Sequence, residues 1–459
     1  MAARKTPRTR AASTPKPAKP APAGASRLSS PINEMLLAAL DRGDASLQTG
    51  RYLMTFKEGA TDSGAQAIAA SLGMRVADAR DFAEQAVVLE NVADADAVMF
   101  PEIGVALVSR DAAEERGMAT IAEATMSESI ASVDPEYFVF ADSVLDDYLS
   151  ATEGGVNASD YLRGFMRATE TITRDLGTVL LPSPPDMREE AEALNATWGL
   201  SACRVPQSTR SGAGIKVAVL DTGMDLGHPD FVSRTFVSAT FVGEPVQDLN
   251  GHGTHCIGTA CGPQSPVATQ TRYGIGYRTA IYVGKVLTNS GTSVGGSVLA
   301  GMNWAIANRC QVISMSLGSQ TNVQPYYTAA GQAALNAGLL MIAAAGNAAK
   351  PTGAPANSPT IMAIAALDSS LKPASFSDYG KIELAGPGVS IFSSVPRPAL
   401  YGYKSGTSQA TPHVSGCAAL WAESSPNLRG QALWNKLRSA AKPLLYPSTR
   451  VGKGLVQAP

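Results

Sequence analysis

Five apolar runs of strand length recur after residue 197, at 215–220, 281–287, 312–317, 339–345 and 360–367, with small-residue helical stretches between them. Strands buried on one face alternate apolar and polar residues, whereas these runs are continuous, so they belong to strands covered on both faces. Helices between consecutive strands make neighbouring strands parallel and supply that cover. The region 196–459 is therefore expected to form an α/β domain, a mostly parallel sheet with helices on both faces. No apolar run reaches the ~20 residues that a membrane span requires. The five cysteines are too few, and odd in number, for a disulfide scaffold.

The 459 residues hold more than this domain. Residues 1–30 carry seven Lys or Arg, no acid and no aromatic; such a segment buries too little apolar surface to fold and is expected to be a disordered, solvated tail. Its basic character also suits contact with nucleic acid or anionic lipid, but the net charge of −2 for the whole chain argues against nucleic acid as a general partner. The tail lacks the apolar core of a secretion signal, which leaves a cytoplasmic location as the default expectation. Residues 50–141 read as a small α+β unit, with strands at 51–56, 97–100, 104–108 and 130–140, helices at 65–72 and 111–126, and the helices on one face of the sheet. Residues 142–195 read as a linker with one helix around 161–172, broken by the Pro-rich stretch 181–185. Charge is segregated along the chain. Residues 51–150 hold six basic and nineteen acidic residues, a balance of −13, and residues 196–459 hold nineteen and nine, a balance of +10.

All four histidines lie after residue 200, and three segments there carry chemistry. Lys216-Val-Ala-Val-Leu-Asp-Thr-Gly223 ends a buried strand on Asp221, and in open α/β sheets sites form at strand carboxyl ends. Asn250-Gly-His-Gly-Thr-His-Cys-Ile-Gly-Thr-Ala260 starts a helix at His252. Tyr403-Lys-Ser-Gly-Thr-Ser-Gln-Ala-Thr-Pro-His-Val-Ser-Gly416 puts Ser408 at a helix start, where the helix dipole favours negative charge. Read singly, each has a plainer meaning: a turn or cap aspartate, a packed histidine, an N-cap serine. His252 and His255 also form a candidate metal pair, although the glutamate of a His-Glu-x-x-His site is missing.

Taken together, and in this order, the three segments resemble the subtilisin-like serine peptidases, with the histidine segment most similar to the proteinase K branch. The resemblance spans about 198–445. It implies a serine endopeptidase acting on polypeptides, with Ser408 as nucleophile, His252 as its base and Asp221 orienting the histidine. It implies Asn347, in Ala343-Ala-Ala-Gly-Asn347, as oxyanion donor, and Ser316, Leu317 and Gly318 as the edge that pairs with substrate. Gly353 resembles the base of the specificity pocket, and the absence of acids between 343 and 364 favours a large apolar residue before the scissile bond. Catalysis of this kind requires no cofactor. A structural calcium ion is expected at Pro359, Ile361 and Glu383, and Asp230 resembles a further calcium ligand whose partner loop is not matched. The 50–141 unit resembles the family's inhibitory propeptide, with 135–140 as its closing strand and 181–195 as the expected maturation region. Two other readings stay open on sequence alone: a binding protein that keeps the scaffold without activity, and a metallohydrolase using His252 and His255.

Overall fold

The computed structural model describes residues 31–41, 46–71, 73–116, 129–141 and 196–459. The basic tail, the expected helix around 161–172 and the 181–195 segment all fall outside these residues. The first unit opens with helix α1 (Pro31–Asp41), an element beyond those expected from the sequence. Strand β1 (Gln48–Phe56), helix α2 (Thr61–Ser71), β2 (Val76–Asp78), β3 (Ala97–Phe100), β4 (Val105–Val108), helix α3 (Arg110–Arg116) and β5 (Ile130–Ala141) follow. The sheet runs β5-β1-β4-β3-β2, with β1 antiparallel to both β4 and β5.

The short apolar strands of this sheet are buried on both sides, and their period-two alternation divides the load. Met54, Met99, Ala106 and Val108 turn toward Ile68 of α2 and Ala112 and Ala113 of α3. Leu53, Val98, Phe100, Val105 and Leu107 turn the other way, into a core continuous with that of the second unit. Helices α2 and α3 lie on one face, as expected, whereas the buried residues of α1, Ile32, Leu36, Ala39 and Leu40, belong to the core on the other. The opposite face is covered by helices α5 (Gly295–Ala307) and α6 (Pro325–Asn336) of the second unit.

That second unit is the expected parallel sheet. Strands β6 (Lys216–Asp221), β7 (Phe236–Thr240), β8 (Ala280–Lys285), β10 (Val312–Met315), β12 (Leu340–Ala344), β13 (Met362–Leu367) and β14 (Leu384–Pro387) stand in the order β14-β13-β12-β10-β6-β8-β7. Every pairing within it is parallel. The chain leaves β6 in one direction for β7 and β8, and later returns to its other side for β10. The carboxyl end of β6 is thus a topological switch point, where open α/β sheets form their crevice. Helices α4 (His252–Cys261), α7 (Thr407–Ser424) and α8 (Gly430–Ala440), with the hairpin β15 (Ile391–Ser394) and β16 (Tyr401–Lys404), complete the unit.

One strand belongs to both units. Residues 130–137 of β5 pair with β1. Residues 138–141 then run between two short edge strands of the second unit. On one side Phe138, Val139 and Phe140 pair antiparallel with Val294, Ser293 and Thr292 of β9 (Thr292–Val294). On the other, Phe140 and Ala141 pair antiparallel with Gly318 and Leu317 of β11 (Leu317–Gly318).

Candidate active site

Asp221 is the last residue of β6 and is fully buried. Its Oδ1 accepts from Thr222 N at 2.7 Å and lies 2.7 Å from His252 Nδ1. His252 opens α4 directly after Gly251, whose φ of +87° turns the chain sharply into the helix and is a conformation that favours glycine. An aspartate at Nδ1 fixes the tautomer that carries its proton there, which leaves Nε2 as the basic nitrogen.

Asp248, not singled out in the sequence, holds this pair together. Its Oδ1 accepts from Asn250 N and Gly251 N, both at 2.9 Å, and from Thr222 Oγ1 at 3.0 Å. Its Oδ2 accepts from Thr254 N at 2.9 Å and Thr254 Oγ1 at 2.7 Å. Thr222 Oγ1 in turn accepts from Gly253 N at 2.8 Å. The helix carrying His252 is thereby tied to the strand end carrying Asp221. An aspartate four residues before a helix-start histidine was the available signal, readable as a capping group for the α4 N-terminus.

Ser408 is the second residue of α7 and is nearly buried. Its hydroxyl donates to Ser316 O at 3.3 Å, while Ser316 Oγ donates to Ser408 O at 2.9 Å. Asn347 approaches from the end of β12. Its Oδ1 accepts from Thr407 N at 2.7 Å and from Thr407 Oγ1 at 3.0 Å. With the oxygen committed, the amide nitrogen is a donor beside Gly406, at the mouth of the helix that bears Ser408. A hydroxyl, an imidazole oriented by a carboxylate, and an amide donor at a helix N-terminus can together perform acyl transfer.

Cys256, one turn beyond His252, is buried with its thiol 3.5 Å from Ser408 O. Ligand atoms of Asp221, His252 and Cys256 all lie within 4.8 Å of one another. Burial, with Asp221 adding to it, pushes this thiol well above its ordinary pKa, so it stands as a protonated neighbour and not as the nucleophile. His255 points elsewhere: Nε2 lies 2.9 Å from Ile391 O of β15, and burial holds the imidazole neutral, well below its usual pKa. The His252–His255 metal pair expected as an alternative is therefore not assembled.

Leu317 and Gly318, of the three expected edge residues, form the edge that receives β5, and Ser316 directly precedes them. Gly353 lies against this edge. Ser319 and Ala354 exchange backbone hydrogen bonds of 2.9 and 3.0 Å, and a Cβ on Gly353 would stand 2.2 Å from Ser319 O. The glycine is thus required by a close backbone approach, and not by pocket volume alone. Although no acid lies nearby in sequence, the fold brings buried Asp378 to the same loops. It accepts from Lys350 N at 2.8 Å and from Gln320 Nε2 at 2.7 Å, bracing the segment that follows Asn347.

The expected calcium ligands are brought together, but not in a form that fits the ion. The Lys381 ammonium donates to Ile361 O and lies 2.8 Å from Glu383 Oε2, which also accepts from Ala363 N at 2.7 Å. Pro359 is exposed on the same turn. Calcium takes six to eight oxygens, whereas this cluster already holds a cation of its own. Asp230 is likewise committed, accepting from Val267 N at 2.6 Å, Tyr273 OH at 2.5 Å and Tyr401 OH at 3.0 Å. Among the described residues no helix is long and apolar enough to cross a membrane.

With this geometry in view, similarity to known proteins becomes specific. Residues 212–454 match the subtilase family. The chain is 36% identical over 276 residues to the subtilisin of Bacillus pumilus, covering 58% of this chain and 98% of that protein. It is 38% identical over 274 residues to subtilisin Savinase of Lederbergia lenta, again covering 58% and 98%. A solved cold-adapted subtilisin-like serine proteinase superposes with a TM-score of 0.50 at 31% identity, covering 57% of this chain and 97% of that one. The chain belongs to the subtilase family. It is a subtilisin-like serine endopeptidase, which removes the inactive-scaffold and metallohydrolase readings.

Proposed function

We propose that this peptidase is made as an autoinhibited precursor and cuts peptide bonds with Asp221, His252 and Ser408, aided by Asn347. In this reading Ser408 Oγ attacks the carbonyl carbon of the scissile bond as His252 Nε2 takes its proton. Asp221 keeps the imidazole oriented and stabilises its charged form. The oxyanion meets the Asn347 amide and the positive end of α7, a donor arrangement whose loss costs about 10²–10³ in kcat. His252 returns the proton to the leaving amine, and water repeats the sequence on the acyl-enzyme. Large apolar side chains are the preferred residues before the cut, because Gly353 adds no side chain and Asp378 is already bonded within the protein.

The observation that carries the precursor reading is the course of β5. It lies between β9 and β11 as an extended substrate would, a β-augmentation supplied by the same chain. As its pairing advances from Phe140–Gly318 to Ala141–Leu317, the chain heads toward Ser316 and Ser408. This supports a first self-cleavage just beyond Ala141, in preference to the 181–195 segment expected from sequence. The test is Ser408→Ala in the full chain. Mass spectrometry should find it unprocessed at 47.5 kDa, while the unaltered chain is cut just beyond Ala141. Peptidase activity should fall about 10⁶-fold, as where nucleophile and base act as a unit. Normal processing of the purified mutant would refute the mechanism; a first cut elsewhere would refute only the assigned region.

A further inference from the structure

We propose that Lys381 is a built-in cation that replaces an ion at the junction of β13 and β14, so that the specificity-pocket side of this enzyme is held without calcium. Three groups converge on its ammonium from separate parts of the chain. Ile361 offers its carbonyl from the turn before β13, and Glu383 offers a carboxylate oxygen at 2.8 Å from the entry to β14. The Trp434 ring of α8 lies 5.7 Å from the nitrogen, near enough for its π face to attract the charge. The same residue reaches the pocket through its backbone. Lys381 O accepts from Thr352 Oγ1 at 3.2 Å, and Thr352 N donates to Tyr379 O at 2.9 Å. Thr352 directly precedes Gly353, so the cation sits beneath the segment that packs against the substrate-binding edge.

The arrangement excludes a metal ion as well as replacing one. A divalent ion drawn to Glu383 and the Ile361 carbonyl would have to displace a positive charge that occupies both, and like charges so close repel strongly in a partly buried site. With the lysine side chain removed, the carboxylate and carbonyl would remain as the start of an oxygen site, weak because it has a single carboxylate.

The experiment compares thermal unfolding of three full-length chains, in EDTA and in about 5 mM calcium. All carry Ser408→Ala to prevent self-digestion; the second adds Lys381→Ala and the third Glu383→Gln. We expect Lys381→Ala to lower Tm in EDTA by about 3 °C or more and to regain part of that loss in calcium. We expect Glu383→Gln to leave the difference between the two buffers unchanged, since in the parent Glu383 holds no metal ion. Two results overturn the proposal: a Lys381→Ala chain that melts like the parent or gains nothing from calcium, or a calcium response of the parent that Glu383→Gln abolishes. Because the Glu383→Gln comparison stands alone, the proposal stays falsifiable even if Lys381→Ala does not fold in EDTA.

Discussion

His252 is held by three groups that need never touch a substrate. Asp221 binds its Nδ1, Asp248 anchors the helix turn that carries it, and Cys256 occupies the space next to it. The third contact leads to a prediction at the scale of one atom. A bulky mercurial that reaches the Cys256 sulfur would push against the imidazole and the Ser408 backbone, displacing the base by more than the ~1 Å that costs about 10²-fold in rate. Mercurials should therefore inactivate the enzyme, and Cys256→Ala should remove that sensitivity while keeping activity within about threefold, since the thiol is a small buried apolar group. Titration of both enzymes with a mercurial, followed by a peptidase assay, decides the matter. Equal sensitivity of the mutant would shift attention to Cys203, Cys261, Cys310 or Cys417, all free and buried.

Among the elements, α1 has the least expected role. Its Ile32 and Leu36 are buried, and Asn33 Oδ1 accepts from Ser290 Oγ at 2.9 Å and Thr292 Oγ1 at 2.5 Å. Thr292 begins β9, one of the two strands that grip β5, so the helix fastens the N-terminal unit to the second unit beside that strand. Glu136 makes a second fastening from β5 itself. Its carboxylate pairs with Arg51 at 2.6 Å and accepts from Gly296 N at 2.6 Å, so it caps the N-terminus of α5 where negative charge is favoured. Fully burying one aliphatic side chain contributes about 1.5–3 kcal/mol, and α1 buries at least two. An inhibitory unit lacking residues 1–45 should thus bind the mature enzyme at least about 10-fold more weakly. Inhibition constants for 31–141 and 46–141 measure this directly, and equal constants would deny α1 any part in inhibition.

Across the whole molecule, an acidic N-terminal region meets a basic C-terminal one. Opposite fields of this kind speed encounter more than they tighten the complex. The acidic contacts at the junction reach polar groups of the second unit: Glu136 meets the α5 amide, and Glu58 accepts from Asn336 Nδ2 at 3.2 Å. Their hold is short-ranged, and the grip on β5 is backbone pairing. Raising salt through the ~10 Å screening length of 0.1 M should slow association of separately produced 31–141 with the mature enzyme several-fold, yet change dissociation little. Stopped-flow inhibition from low to high salt measures both rates. An association rate that stays flat would remove the electrostatic claim.

The sequence by itself determined whatever depends on local pattern. The continuous apolar runs gave buried parallel strands, because strand length and β-period are read from neighbours in the chain. Asp221, His252 and Ser408 were legible as strand-end or helix-start residues, but their candidate roles, and Asn347 altogether, came from the resemblance of their segments to a known family. The alternation of Leu53 with Met54, and of Val98 with Met99, was present too, but alternation states only that a sheet has two faces. Which helices cover each face was decided by tertiary structure, as was the passage of β5 between β9 and β11. The same holds for the ammonium of Lys381 where an ion was expected, and for Asp378 beside loops distant from it in sequence. The reason is physical: a buried donor, acceptor or charge must find a partner. When that partner lies tens or hundreds of residues away, only the folded chain brings the two within hydrogen-bonding distance.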